Sequence, residues 1–123
     1  MNFSEGEIVK AWIPDPKNNP CEEPHPALIV RTFDNDNRFY VIGITGSFDT
    51  PIPWYWMPMS WEPNGHPVTG LVKPCVLKAE WKVLCKPSDV LHRMGEIDSI
   101  EAWELAIDKV AEVHYRQSRG IAL

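Results

Sequence analysis

The chain has 123 residues, of which 44% are hydrophobic and 24% are charged, and its formal net charge is -5. This composition excludes intrinsic disorder, a collagen helix and a coiled coil, and the length is sufficient for one self-supporting core. Twelve prolines and six tryptophans predict short strands joined by structured loops rather than long helices. We therefore expect residues 1–123 to form a single domain.

The acidic balance argues against nonspecific binding of nucleic acid, because phosphate contact normally requires an excess of Lys and Arg. The charge is unevenly distributed, however. Residues 1–62 carry nine acids and four bases, whereas residues 63–98 carry four acids and five bases. The basic residues of this middle segment could combine with Arg31 and Arg38 into a local basic face, although solvated strand edges explain them equally well. They are Lys73, Lys78, Lys82, Lys86 and Arg93.

No apolar stretch approaches the roughly 18 residues of a membrane-spanning helix, and the N-terminus lacks the regions of a signal peptide. We expect a cytoplasmic protein that does not enter a membrane. The cysteines Cys21, Cys75 and Cys85 match no zinc or redox spacing and are expected to be reduced thiols. A metal site that combines Cys21 with His25 is conceivable but weakly supported, so we expect neither a metal nor another cofactor.

The first half of the chain predicts three strands. Glu7 to Ile13 forms the first, which Pro14 ends. After a loop, the short apolar run from Ala27 to Val30 is typical of a strand covered on both faces. Residues 34–37, all Asp or Asn, predict a turn because both residue types tolerate left-handed backbone. Arg38 to Thr45 then forms the returning strand of a β-hairpin.

Residues 46–70 contain five prolines, too many for a central strand, because each proline removes a hydrogen-bond donor from the sheet. We predict a long loop here. Its aromatic residues are Trp54, Tyr55, Trp56 and Trp61. After the loop, a period of two predicts a half-buried strand that Pro87 ends. One face of this strand is predicted to carry Cys75, Leu77, Ala79, Trp81 and Val83.

Gly95 precedes a short extended segment that leads into a C-terminal helix. Asp98 with Glu101 resembles a capping box, although Ser99 could be the N-cap instead. The helix has an apolar and an acidic face. The apolar face carries Ile100, Trp103, Ile107, Val110 and Val113, and the acidic face carries Glu101, Glu104, Asp108 and Glu112. Strands followed by one helix predict a mainly β protein, with a small curled sheet or barrel closed by the helix.

Several segments resemble, in the same order, those of the PemK/MazF family of toxin endoribonucleases. In the first half they are Gly6-Glu7-Ile8-Val9, Pro24-His25-Pro26-Ala27-Leu28-Ile29-Val30 and Val41-Ile42-Gly43-Ile44-Thr45. In the second half they are Gly70-Leu71, Cys75 to Leu84, Lys86 to Arg93, Gly95-Glu96-Ile97 and the helix. The resemblance covers most of the chain except the loop from Phe48 to Pro67, and it depends on this collinearity rather than on one motif.

The resemblance implies an SH3-like barrel with a C-terminal α-helix that acts as a homodimer. It also implies metal-independent cleavage of single-stranded RNA and neutralisation by an antitoxin in a type II toxin-antitoxin system. In this family, an Arg immediately before the Pro-Ala/Val-Leu strand and a Thr or Ser at the end of the next strand lie at the phosphate. Thr45 matches the second position, whereas His25 stands where the Arg is expected.

RNA cleavage of this class requires a base for the 2′-hydroxyl, an acid for the departing 5′-oxygen and donors for the charge on phosphorus. Arginine is a permanent cation, whereas histidine, with a reference pKa of about 6.5, is suited to proton transfer. We therefore predict that His25 is a catalytic acid or base and that Thr45 donates to a phosphate oxygen. Alternatively, His25 hydrogen-bonds at a loop–strand junction of a catalytically weakened relative, and Thr45 is an ordinary strand residue.

Six further residues are predicted to bind RNA: Arg31, Arg38, Ser47, Lys78, Trp54 and Trp56. The basic residues would hold phosphate, and the tryptophans would stack on unpaired bases. For the aromatic loop, residues 49–67, we favour a lid over the barrel or a dimer interface, since aromatic residues also dominate such surfaces. Glu22 and Glu23 lie where family members often carry an acid, but at an unusual spacing from His25.

Two other functions remain open from the sequence. The chain could be a catalytically inactive SH3-like module that binds a protein or peptide through its aromatic loop and barrel groove. The missing arginine and the net charge favour this alternative. A toxin-like fold that acts on a protein target instead of RNA is the other possibility.

Overall fold

The structure, a computed structural model, describes residues 2–34 and 36–123, and these residues form an antiparallel sheet with one C-terminal helix. The strands are β1 (Glu7–Ala11), β2 (His25–Phe33), β3 (Asp36–Thr45), β4 (Trp56–Pro58), β5 (Val76–Cys85) and β6 (Val90–Glu96), and the helix is α1 (Ile100–Ser118). A short 3-10 helix, Pro87–Asp89, joins β5 to β6. The spatial order of the strands is β4-β5-β3-β2-β1-β6. The predicted mainly β class with a C-terminal helix is confirmed.

The predicted hairpin of β2 and β3 forms the centre of the sheet. Leu28 pairs with Ile42 and Ile29 pairs with Val41, and all four side chains are fully buried. This explains why the apolar run in β2 is continuous: both faces of the strand are covered. Asn35, in the middle of the predicted turn, lies outside the described residues.

The proline-rich segment corrects one prediction, because it contains a strand. β4 pairs with β5 over three residues at one edge of the sheet, with Pro58 opposite Val76. A proline is tolerated at this position because an edge strand has one side without a neighbouring ladder. The segment avoids the centre of the sheet, as its proline content predicted.

A bulge in β5 corrects the prediction that its apolar residues share one face. Ile42 pairs with Lys82 and Ile44 pairs with Leu77, so a step of two residues in β3 spans five residues of β5. β5 thus contains three extra residues at the bulge. Because side chains alternate between the two faces along a strand, an odd number of extra residues moves one end of β5 to the opposite face. Cys75 and Leu77 pack in one apolar cluster, whereas Trp81, Val83 and Cys85 pack in the other.

The segment around Gly95 is more extensive than the sequence predicted. Val90–Glu96 is a complete strand, β6, which pairs with β1 and forms the other edge of the sheet. Register shifts interrupt this pairing at two places along β1. Such irregularities obscure the period of two on which a prediction from sequence depends.

Helix α1 begins at the alternative cap. The Ser99 hydroxyl accepts a hydrogen bond from the backbone N–H of Ala102 at 3.0 Å, so the capping box built on Asp98 is wrong. Asp98 instead accepts a hydrogen bond from the Ser60 hydroxyl at 2.6 Å. Val113 is buried as predicted, but Ile100 is 70% exposed because it lies in the first turn, beyond the edge of the core.

Two apolar clusters lie on opposite faces of the sheet. One, which contains Ile8, Leu28 and Ile44, packs against Trp103 and Val110 of α1. The other contains Val9, Ile29 and Trp81. The acidic residues Glu101, Glu104, Asp108 and Glu112 lie exposed on α1, as predicted. Among the described residues, no helix is both long and apolar enough to cross a membrane.

Candidate active site

A cleft of about 280 Å³ opens where β2 begins and β3 ends. Ala27 pairs with Gly43, and the same antiparallel register extended by two residues places His25 opposite Thr45. Both residues line the cleft together with Ser47. The structure therefore brings together three of the eight residues that the sequence predicted for the site. The cleft is also lined by Lys10, Glu23 and Lys73.

His25 is the first residue of β2, and its backbone is paired with Ala11 of β1. Its imidazole contacts Trp81 edge to face, with ring centroids 5.2 Å apart and an interplanar angle of 72°. Trp81 is only 4% exposed, and its indole N–H donates to the carbonyl of Pro14 at 2.7 Å. The imidazole is thus positioned by a strand on one side and by a buried ring on the other.

Gly43 makes this arrangement possible because it has no side chain. A Cβ at this position would lie 2.0 Å from Cε3 of Trp81, well inside van der Waals contact. The indole therefore lies directly against the backbone of β3. Glycine allows a close approach of this kind at the centre of a sheet, where it otherwise weakens a strand.

The environment of His25 favours its neutral form. Burial lowers the pKa of the imidazole below its ordinary value of 6.5. The negative charge of Glu23 acts in the opposite direction, whereas the positive charges of Lys73 and Lys10 lower the pKa further. At pH 7 the ring is therefore neutral, and one ring nitrogen is available to accept a proton.

Thr45 ends β3 and begins a tight turn. Its hydroxyl oxygen accepts a hydrogen bond from the backbone N–H of Ser47 at 3.1 Å, a local side chain to backbone bond that is typical of Thr in turns. The hydroxyl can also donate to the Ser47 carbonyl, but the two oxygens are 3.5 Å apart, so this hydrogen bond is weak. The hydroxyl can therefore rotate to donate to a ligand in the cleft.

Sequence reasoning missed one basic residue of the cleft, Lys10, and named another, Lys73, only as one of five bases in a possible basic face. Lys73 lies across Gly46: a Cβ on that glycine would lie 2.6 Å from Cε of Lys73 and 3.2 Å from its ammonium nitrogen. Lys10 reaches the cleft from β1. The surplus of bases in residues 63–98 indicated that Lys73 could contribute to a basic surface. Only the folded structure shows that its side chain lies at the cleft.

Two of the predicted RNA-binding residues lie at the opposite end of the hairpin. Arg31 is six residues from His25 and Arg38 is seven residues from Thr45, a separation of about 20 Å along the strands. The guanidinium of Arg31 lies 5.3 Å from the centre of the Phe33 ring. Arg38 lines a separate cavity of about 220 Å³ near the hairpin turn. Their contact with RNA stays a prediction.

The predicted aromatic residues make intramolecular contacts. The indole N–H of Trp56 lies 3.0 Å from both carboxylate oxygens of Glu80, and the Lys78 ammonium lies 4.7 Å from a Trp56 ring. The indole N–H of Trp54 donates to the carbonyl of Leu123 at 2.7 Å. These contacts hold both indoles against the chain itself, but Trp54 is still 41% exposed, and stacking of the two residues on RNA stays a prediction.

Cysteine chemistry does not contribute a nucleophile to this cleft. Cys75 lines it, but burial raises the pKa of the thiol to about 11, so the reactive thiolate is scarce at neutral pH. Within residues 2–34 and 36–123, no group of three or more His, Cys, Asp or Glu side chains is arranged to hold a metal ion.

Comparison with solved structures places the sheet and helix among toxin folds. The Mycobacterium tuberculosis toxin MazF-mt6 aligns with a TM-score of 0.64 and 15% identity, over 89% of this chain and 96% of that chain. This chain has a MazF-like fold. The resemblance inferred from the collinear segments is thereby confirmed for the fold.

Two further structures share the MazF-like fold. A mycobacterial endoribonuclease in complex with its cognate antitoxin aligns with a TM-score of 0.66 and 14% identity, over 93% of this chain and 96% of that chain. A chain of the MazE-MazF complex from Deinococcus radiodurans aligns at 0.57 and 12% identity, over 99% of each chain. No protein-family model and no curated protein sequence matches the chain. At these identities the likeness establishes the fold, and the activity must be argued from the cleft.

Proposed function

We propose that the chain is an endoribonuclease toxin that cleaves single-stranded RNA in the cleft at the start of β2 and the end of β3. The observation that carries this proposal is the meeting of His25 and Thr45 at one end of a MazF-like sheet. A neutral imidazole, a hydroxyl that can donate, and two ammonium groups line the same small volume. We do not favour the noncatalytic alternative, since an apolar peptide groove would not require this combination.

The imidazole of His25 is assigned as the general base. It accepts the proton of a ribose 2′-hydroxyl, and the 2′-oxygen attacks the adjacent phosphorus. The bond from phosphorus to the 5′-oxygen breaks, and that oxygen takes up a proton from solvent in the open cleft. The products are a 2′,3′-cyclic phosphate and a 5′-hydroxyl. A positioned acid or base group contributes typically about 10²- to 10⁴-fold to the rate of such a reaction.

Thr45 is assigned as a donor to a nonbridging phosphate oxygen. Negative charge on these oxygens grows as the 2′-oxygen attacks, so a preorganised hydroxyl stabilises the transition state more than the bound substrate. The turn that follows β3 fixes this hydroxyl through its bond from the Ser47 N–H. Ser47 is exposed, lines the cleft and supplies a second hydroxyl.

The proposed activity predicts that the purified chain cuts single-stranded RNA in the presence of EDTA. The cut ends should carry a 2′,3′-cyclic phosphate and a 5′-hydroxyl, which mass spectrometry of a short oligonucleotide distinguishes from other products. A DNA oligonucleotide of the same sequence should remain intact, because it lacks the 2′-hydroxyl. A mixed set of RNA substrates left uncut by the wild-type protein would contradict the endoribonuclease function.

A second prediction concerns pH. The pKa of His25 lies below 6.5, so the base is unprotonated near neutrality and kcat/KM should be constant there. As the pH falls through the lowered pKa, the imidazole becomes protonated and kcat/KM should decrease. Glu23→Gln removes a negative charge that raises this pKa, so the decrease should move to lower pH. Profiles of kcat/KM from pH 4.5 to 8.5 measure both effects, and Glu62→Gln is the control for removal of an exposed acid. An unmoved profile for Glu23→Gln would contradict the assignment of His25 as the base.

We also propose that the chain acts in the cytoplasm as a homodimer and that an antitoxin neutralises it. Support comes from the relatives whose structures contain an antitoxin or a MazE-MazF pair. An acidic segment of such a partner would compete with RNA for Lys10 and Lys73, because both ligands present negative charge to the same cleft.

A further inference from the structure

We propose that Lys73 supplies the phosphate-binding cation of the cleft. This inference rests on the proposed endoribonuclease function and names the residue that holds its substrate.

The position of Lys73 is the first argument. Its side chain lies along the backbone of Gly46, the residue between Thr45 and Ser47. The ammonium nitrogen lies 3.2 Å from the point that a Cβ of Gly46 would occupy. The cation therefore lies beside the hydroxyl-bearing turn that would contact phosphate, and the lack of a side chain at Gly46 leaves its path open.

The loop that carries Lys73 is anchored on both sides. Leu71 and Cys75 are buried, and the backbone N–H of Met59 donates to the carbonyl of Cys75 at 3.0 Å. The buried hydroxyl of Thr69 donates to the Ser60 carbonyl at 2.8 Å and accepts from the N–H of Leu71 at 3.3 Å. Lys73 itself is exposed. A fixed backbone with an accessible ammonium group is suited to binding a mobile anion, because less of the binding free energy is lost in ordering the loop.

Charge placement is the third argument. Of the described residues that line the cleft, Lys10 and Lys73 are the basic ones, and Glu23 is the acidic one. Arg31 and Arg38 lie at the far end of the hairpin, and Lys78 packs against Trp56. Lys10 is half-buried on β1, whereas Lys73 is exposed at the rim beside Gly46. Lys73 is thus the cation that an incoming phosphate meets next to Thr45.

A separate cation is also needed because one side chain at position 25 cannot both hold phosphate and act as a base. A guanidinium can hold phosphate but does not release its proton near neutral pH, whereas a neutral imidazole can act as a base but carries no charge to hold phosphate. With Lys73 as the cation, His25 remains free for proton transfer. The two tasks are then performed by two side chains that line one cleft.

The experiment compares Lys73→Gln with Lys73→Arg and with Lys86→Gln, which removes a charge from an exposed lysine that does not line the cleft. Lys73→Gln should lower kcat/KM for single-stranded RNA by roughly 10- to 100-fold, the effect of losing one charge-assisted hydrogen bond, whereas Lys73→Arg and Lys86→Gln should retain most of the activity. The slope of log binding constant against log salt, measured with an uncleavable 2′-deoxy oligonucleotide, should decrease in magnitude by about 0.7 for the lost phosphate contact.

Two further measurements separate phosphate binding from a structural role. Loss of the Lys73 charge should shift the acid limb of the pH profile to higher pH, because this charge lowers the pKa of His25. Gly46→Ala keeps the lysine but obstructs its path, so it should reduce kcat/KM and leave the free energy of unfolding nearly unchanged. If the wild type cuts RNA and Lys73→Gln behaves like Lys86→Gln, this proposal is wrong and the proposed function stands. If the wild type neither binds nor cuts single strands, both proposals fall.

Discussion

Replacing His25 with alanine should lower kcat for RNA cleavage by about 10²- to 10⁴-fold, the range for a positioned acid or base group. KM should change much less, because the imidazole is neutral at pH 7 and does not hold the phosphate. Single-turnover cleavage of a short oligonucleotide at saturating enzyme measures the chemical step directly. The acid limb of the pH profile should also disappear, since the group whose protonation produces it is absent.

Two variants make this result specific to His25. His114→Ala removes an exposed histidine from α1 and should leave kcat unchanged. His25→Arg introduces the residue that the PemK/MazF resemblance led us to expect, but it should stay as slow as His25→Ala, because arginine is not a base near neutral pH. Full activity in His25→Arg would show that position 25 serves as a cation and would overturn the assignment of a base.

The resemblance to the PemK/MazF family identified His25 and Thr45, because both positions belong to its motifs. The predicted hairpin, with His25 before one strand and Thr45 at the end of the next, then places them at the same end of the two strands. Lys10 and Lys73 belong to no such motif. Lys73 reaches the cleft from a loop whose course depends on buried contacts of Leu71 and Cys75 with the rest of the sheet. Periodicity within a segment contains no information about such contacts.

The fold was predicted best where the period of the sequence is undisturbed. The hairpin of β2 and β3 and the helix have regular patterns, and both are found, although β2 extends beyond the predicted run of Ala27 to Val30 at both ends and β3 begins at Asp36 instead of Arg38. The pattern of β5 was misleading because its bulge moves Trp81 to the face opposite Leu77. A bulge adds residues without interrupting the alternation of apolar and polar side chains, so only the register with β3 shows it.

Composition could not decide the role of the aromatic loop. Tryptophans serve equally for stacking on bases, for packing and for interfaces. The indole of Trp54 contacts the carbonyl of Leu123, which lies 69 residues later in the chain. The guanidinium of Arg116 also lies 5.0 Å from the centre of a Trp54 ring. The loop and the C-terminal helix therefore have to be considered together, and neither segment alone predicts the packing.

Replacing Trp81 with alanine should produce the largest loss of stability among these variants, about 3 to 5 kcal/mol in the free energy of unfolding. The indole is 4% exposed, packs in the second apolar cluster, and donates to the Pro14 carbonyl. Its removal leaves a cavity and an unsatisfied carbonyl, and it also frees the imidazole of His25. Urea denaturation measures the loss in the free energy of unfolding. Trp61→Ala is the control, since Trp61 is 39% exposed and should cost much less.

A double-mutant cycle with Gly43 tests whether the indole contact is the cause. Gly43→Ala alone should be destabilising, because its Cβ would overlap the Trp81 ring at 2.0 Å and the ring is buried on a rigid strand. In the Trp81→Ala background the overlap is absent, so the same substitution should cost little or be stabilising through its lower unfolded-state entropy. The coupling free energy should exceed about 0.5 kcal/mol, the limit within which independent sites usually add. Additive effects would show that Gly43 does not act through its contact with Trp81.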